Sequence, residues 1–409
     1  MPRLNFYITT PNELTHKDFP ELKLRQHTQL KALQIWLANL VKYEDKEIAF
    51  SRSKTQKVDE RFNPLRIGYS PINSVWNKLR DTELVDTTKG IPRWLKDEQD
   101  QFIRPRMTTV TSTQKLIKKC KKLGITKDTI KELKNPVHVR VRQVGDKSNY
   151  IPYKDTPYSK EIERTMSEYC NYLNKQEIKI GDIVLDDIHL YRTYQNRKGM
   201  PFQFGGRSGG YWHSYSSEDR KRITINGKKT SSIDMHCSQL NILYKHATGK
   251  FFDKDFDAYR IPGIDERFRP VLKKILLIML NVSYGGVGQA LTNAMNREEE
   301  NNPNSSLVVL YKEFKESISS IRSVVDKIIE RHEPVNHLFC LGADMGQHYA
   351  WLESNLVFQI AHQLHYQDIP CLTVHDEFIV PTEDEGILEQ IMYSTGMDEE
   401  IYKSIELKL

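Results

Sequence analysis

The sequence predicts an α+β fold in which antiparallel strands are embedded among long helices. Three observations predict it. The stretch "RITINGKKTSSID" carries Asn226 and Gly227, the residue pair of a two-residue hairpin turn. In "LTVHDEFIVP", the strand formers Leu372, Val374, Phe378 and Val380 flank His375, Asp376 and Glu377, a second hairpin with a polar trio at its turn. Residues 238–280 and 306–368 read as long helical segments.

A chain of 409 residues with 38% hydrophobic and 28% charged content can bury a sizeable core in two or three units, which excludes a disordered protein. No stretch approaches 18 uninterrupted apolar residues, and "MPRLNFYITTPNELTHKDF" lacks the charged-then-apolar design of a signal peptide. A cytosolic protein with no membrane partner is expected. The five cysteines, Cys120, Cys170, Cys237, Cys340 and Cys371, are odd in number and without C-x-x-C spacing, so they read as free thiols, with neither a disulfide framework nor a zinc site.

Along the chain, residues 1–100 read as a mostly helical region, with Leu30, Leu33, Ile35, Trp36, Leu40 and Val41 at roughly helical period. Charged, Thr-rich, Pro-punctuated connections follow to about residue 110, and no internal repeat is present. The next region, 101–190, opens with a basic block: residues 101–150 hold 13 Lys or Arg against 3 Asp or Glu, whereas residues 381–409 hold 2 against 8. Such a block makes a local positive field that the net charge of +6 conceals. Within it "KLIKKCKKLG" reads as a helix ended by Gly124. "VHVRVRQV" reads as a half-buried strand with Val137, Val139 and Val141 inward and His138, Arg140 and Arg142 outward. That outward face suits a phosphate backbone, and an ordinary solvated face is the competing reading. From about 160 come a helix ("KEIERTMSEYCNYLNKQ"), a Gly-rich stretch, the first hairpin, the long helices, the second hairpin and an acidic helix to the end.

The chemistry gathers in the third region, 191–409. Asp234 ends a strand just before a helix starting near Ser238, and Asp376 lies in a hairpin turn 142 positions later. Carboxylates so placed can converge on divalent metal, because Mg²⁺ is hard and prefers oxygen. Two ions roughly 3.5 to 4 Å apart activate an attacking oxygen and stabilise a leaving pyrophosphate. The competing readings are a helix cap at Asp234 and a solvated turn at Asp376. In "RFRPVLKKILLIMLNVSYGG", Arg269 and Lys273 fall four apart on one helix face ahead of Tyr284 and Gly285. That stripe suits a triphosphate, unless both side chains simply reach solvent.

Asp234 in "DMHCSQL", Arg269 and Lys273 before "YGG", and "VHDE" at 374–377 follow the order of motifs A, B and C of family A DNA polymerases and the related single-subunit phage-type RNA polymerases. "NRKGMPFQFGGRSGGYW" resembles the Gly-Arg segment that precedes motif A in those enzymes. The resemblance covers roughly 190–409. It implies a right-hand polymerase with an antiparallel palm sheet, helical fingers and a thumb from the preceding basic region. The implied activity is template-directed nucleotidyl transfer in DNA replication, acting on DNA primer-template and nucleoside triphosphates, with RNA as template or product an open alternative. The small size suits a phage or mobile element. Asp234 and Asp376 are implied to hold Mg²⁺, for which Mn²⁺ can substitute, with Glu377 beside them. Lys273 is implied to meet the triphosphate, Arg269 to lie one turn away, Arg207 to contact the backbone near the primer end and His375 to approach the primer terminus.

Two positions depart from the family pattern. Motif B places its Tyr eight residues after its Lys, whereas Tyr284 lies 11 after Lys273, so either the helix is distorted or Asn281 takes the Tyr position. DNA polymerases carry, five residues after the motif A Asp, a Glu that excludes the ribose 2′-hydroxyl; here Gln239 stands there, at a substrate-binding position. Other readings left open are a catalytically inactive nucleic-acid-binding protein, a primase-like activity and a phosphodiester-cleaving enzyme.

Overall fold

A computed structural model of the chain describes residues 4–50, 52, 63–65, 67–91, 106–133, 137–145, 150–185, 188–252 and 255–396. The expected connections over 92–105 and the acidic stretch after 396 lie outside these residues. Two compact units form, residues 1–137 with 145–152, and residues 138–144 with 153–409. Helices and largely antiparallel sheets make the fold class α+β.

In the first unit the apolar period becomes the helix His27–Lys42, with Leu30, Leu33, Ile35, Trp36, Leu40 and Val41 buried. Trp36 donates its indole N–H to the carbonyl of Ile72 at 3.0 Å, tying this helix to the helix Tyr69–Asp81. A three-stranded antiparallel sheet of Ile48–Phe50, Thr108–Ser112 and Val85–Thr88 completes the unit. The stretch read as mostly helical therefore also supplies strands, each too short to display a period of two. The helix Gln114–Lys122 buries Leu116, Ile117 and Cys120 and exposes Lys115, Lys118, Lys121 and Lys122, and Gly124 follows its end at φ 71°.

The second unit contains a six-stranded antiparallel sheet in the order Leu372–Val374, Glu377–Pro381, Lys228–Asp234, Ile223–Ile225, Ile178–Ile180, Ile183–Val184. Its first hairpin turns at Asn226 and Gly227, both left-handed at φ 53° and 77°, as a type I′ turn requires. A second sheet pairs Gly205–Gly209 with Tyr191–Asn196, and the latter in parallel with Val139–Gln143. In Val139–Gln143 the valines are buried and Arg140 and Arg142 half-buried. His138 departs from the expected outward face: it precedes the ladder, is buried, and sets Nδ1 2.7 Å from the carbonyl of Leu190. Burial holds its imidazolium below the ordinary range.

The segment 238–280 resolves into the helices Ser238–Thr248 and Arg269–Met279, separated after Gly249 at φ 74°. Residues 306–368 resolve into Ser306–Ser317, Ile321–Arg331 and the 24-residue helix Ala343–Tyr366. These pack with the helices Val287–Asn301 and Glu385–Gly396 around a core that includes Ile275, Leu276, Tyr349, Leu352, Leu356 and Phe378. Among the described residues no helix is long and apolar enough to cross a membrane. All five cysteines are free.

Candidate active site

The two hairpins meet edge to edge. Lys228–Asp234 pairs with Glu377–Pro381 so that Asp234 lies opposite Glu377, and the ladder runs one bond further, from the Met235 N–H to the carbonyl of Asp376 at 3.0 Å. Directly opposed residues of an antiparallel pair point to the same face. Asp234 and Glu377 therefore share a face, with Asp376 beside them at the turn. His375 supplies the left-handed residue of that turn at φ 59°. The indole N–H of fully buried Trp212 donates to the carbonyl of Thr373 at 3.0 Å, fixing the hairpin to the Gly-rich segment.

Asp234 is not a helix cap, because the N-cap of Ser238–Thr248 is Cys237, itself left-handed at φ 47°. Desolvation, then the charges of Asp376 and Glu377, push the Asp234 carboxyl above the ordinary carboxylate range, while Lys273 opposes the rise. Burial acts first and the neighbouring like charges add to it. The donor set fits a hard divalent cation: oxygen ligands whose mutual repulsion such an ion relieves. Among the described residues no group of three or more His, Cys, Asp or Glu side chains is gathered for a metal, so the candidate is the Asp234 and Asp376 pair.

The raised Asp234 value has a stability consequence. The folded chain holds this proton more tightly than the unfolded chain, so stability falls as pH rises from the ordinary value of 3.8 through the raised one. Asp234→Asn, melted at neutral pH in chelator, is expected to unfold at a higher temperature than the parent, with the gap closing in acid. Adding Mn²⁺ is expected to raise the parent's melting temperature and leave the variant's nearly unchanged. A variant that melts lower at neutral pH would show that the three carboxylates do not repel.

Glu377 is held by protein donors: Arg220 reaches Oε2 at 3.1 Å and the Ser232 hydroxyl donates to Oε1. Arg269 makes a two-pronged ion pair with Asp257, Nε–Oδ2 2.7 Å and Nη2–Oδ1 3.1 Å, and its guanidinium lies 5.0 Å from the Tyr259 ring centre. Lys273, exposed on the same helix face, sets Nζ 5.6 Å from that ring. Its charge acts on Asp234, and the charges of both cations act on the thiol of Cys237 in the turn after Asp234. Of the two cations, Lys273 is the one whose charge reaches Asp234.

The helix Arg269–Met279 is regular, and Asn281 and Tyr284 both lie beyond its end. Asn281 donates its side-chain amide to the carbonyl of Leu277 at 2.9 Å. Tyr284 opens a short 3-10 turn and points its hydroxyl at the helix Ile321–Arg331, donating to Asp326 and accepting from Arg322 Nε at 3.3 Å.

Arg207 owes its position to a β-bulge between Gly205 and Arg207, the device by which a strand re-aims one side chain. Gly206 sits at φ +84°, where a Cβ would lie 2.9 Å from both Ser354 Oγ and the Tyr194 ring, so glycine is required. Fully buried Arg192 fixes the bulge, donating Nε to the carbonyl of Gly206 at 2.7 Å and Nη2 to Ser354 Oγ at 2.9 Å. So aimed, Arg207 pairs with Glu353, with Nε–Oε2 at 3.0 Å. Desolvation first, and then the charge of Arg207, hold the His375 imidazolium below the ordinary range. The edge of His375 meets His213, ring centres 5.7 Å apart.

Glu353 and Ser238 escaped the sequence reading. Glu353 is buried on Ala343–Tyr366 and also accepts from the Ser238 hydroxyl and, at 3.4 Å, from the Gln239 amide. The Ser238 Oγ lies 3.0 Å from Asp376 Oδ2. The available signal was an acid in "YAWLESNLVF", an otherwise apolar helical run, since a buried Glu requires a partner. Gln239 is thereby buried against Glu353. Compared with known proteins, the sequence matches no family model and no curated protein.

Proposed function

We propose that the protein is a template-directed nucleotidyltransferase of family A type, most simply a DNA polymerase, with the six-stranded sheet as its palm and the helix Arg269–Met279 over the incoming nucleotide. One observation carries this reading. Asp234, at the end of one strand, and Asp376, 142 residues later in the turn leading into the strand paired with it, are brought together, with Lys273 acting on the first of them.

When bound at that pair, divalent ions supply activation of the attacking hydroxyl and charge stabilisation for the departing pyrophosphate. The chain's own residues do the rest. The ladder bond from Met235 to Asp376 holds the two carboxylates in register. Lys273 offers the triphosphate an exposed cation, while Arg269 is held by Asp257 and Tyr259 and contributes less. Arg207, aimed by the bulge, faces the primer end, and His375 stands beside it.

The test is extension of a labelled primer on a template with Mg²⁺, offering deoxynucleotides and ribonucleotides in separate reactions. Growth of the primer in either supports the reading and reports sugar choice, and no growth with any nucleotide removes it. Arg140 and Arg142 belong to the same proposal as backbone contacts. Arg140→Ala with Arg142→Ala is expected to weaken binding to unrelated sequences alike and to lower the slope of log affinity against log salt by about 1 to 2, since each phosphate contact releases counterions. An unchanged slope would place the nucleic acid elsewhere.

A further inference from the structure

The Ser238 hydroxyl stands between two carboxylates, Glu353 on one side and Asp376 on the other. A hydroxyl has one proton to donate. It therefore satisfies one carboxylate at a time, and the choice affects both. Glu353 Oε2 is already served by the Arg207 guanidinium and the Gln239 amide, whereas Oε1 accepts from the Ser238 hydroxyl. Asp376 receives the same hydroxyl at Oδ2. Glu353 is almost wholly buried, so an oxygen without a donor is costly there.

We infer that Ser238 and Glu353 couple divalent-ion binding at Asp376 to the hold of Arg207 on the primer end, through the single proton of the Ser238 hydroxyl. The inference rests on the nucleotidyltransferase reading for the identity of the ligand at Arg207. With Asp376 engaged by a cation, the Ser238 hydroxyl would donate to Glu353 alone. Glu353 with both oxygens satisfied is a fixed anchor, and the Arg207 fork it holds is fixed with it. Linkage makes the effect reciprocal: primer-template bound at Arg207 strengthens the cation by the same factor. Ser238 and Glu353 touch no reacting atom in this scheme and act by positioning.

The experiment measures primer-template affinity with and without Ca²⁺, a divalent ion chosen to permit binding without turnover. The parent is expected to bind duplex about 5- to 10-fold more tightly with Ca²⁺, a coupling of ordinary size. Ser238→Ala keeps every charge and removes the proton; its ratio is expected to fall to about 2 or less, the residue left by direct neutralisation of the carboxylates, with affinity in chelator near that of the parent. Ser238→Thr restores the hydroxyl and is expected to restore the ratio. Glu353→Gln, read in the same way, serves as the second variant if Ser238→Ala proves unstable, and a collapsed ratio is expected for it too. A full parental ratio in Ser238→Ala, or no Ca²⁺ effect in the parent, overturns the coupling. Failure of the parent to extend a primer with Mg²⁺ overturns the nucleotidyltransferase reading instead, so the two failures are distinguishable. A purely structural role for Ser238 would lower the melting temperature and leave the ratio intact.

Discussion

Asp234→Asn and Asp376→Asn are each expected to abolish nucleotide addition, on the order of 10³-fold or more, with folding retained and with duplex binding in chelator near that of the parent. Each change preserves shape and removes the charge that would hold a divalent ion. The losses are expected not to add in the double variant, because residues serving one transition state act as a unit. The competing explanation for Asp234, a lost helix cap costing about 1 kcal/mol, is removed by the fold, since Cys237 occupies the cap. Steady-state extension rates beside melting curves make the check. Activity that declines only with the folded fraction would assign both carboxylates a structural role.

Lys273→Ala carries the next largest effect. Its ammonium is exposed, lies near the Tyr259 ring, and shifts Asp234. Loss of one cation aimed at developing charge costs on the order of 10²- to 10³-fold in rate. The variant is expected to need more nucleotide and to incorporate it more slowly, with duplex affinity unchanged, since the proposed partner is the triphosphate. Equal losses in duplex affinity and in incorporation would move Lys273 to the nucleic-acid path. Arg269→Ala is expected to act more weakly, because Asp257 already neutralises its charge.

What the chain discloses before folding depends on how local the cause is. The turn at Asn226 and Gly227 was legible because left-handed backbone at two successive positions demands those residue types. The helix Arg269–Met279 and the placement of Asp234 at a strand end were legible from apolar period and the start of the next helix. The strands Ile178–Ile180 and Ile183–Val184 were not, being three and two residues long, and neither was the parallel pairing of Val139–Gln143 with Tyr191–Asn196. Pairing of that kind is decided by contacts distant in sequence.

At the site the same division holds. The polar trio in the turn and the cationic stripe stand out within a few residues of sequence. The Glu353 network does not, since its donors Ser238 and Arg207 lie 115 and 146 positions away. The bulge at Gly205 and Gly206 was visible only as a Gly-rich stretch, and its purpose depends on Ser354, Tyr194 and Arg192 crowding the one residue without a side chain. His138 shows the converse error: strict alternation was extended one residue past the end of the ladder.

The most direct measurement is single-nucleotide incorporation on templates that differ only in the first unpaired base, with Mg²⁺ and one nucleotide offered at a time. A template-directed polymerase whose charges meet at Asp234 and Asp376 adds only the nucleotide complementary to that base, and the Asp376→Asn protein adds none. Addition that ignores the template base, or that persists in Asp376→Asn, would contradict the central claim.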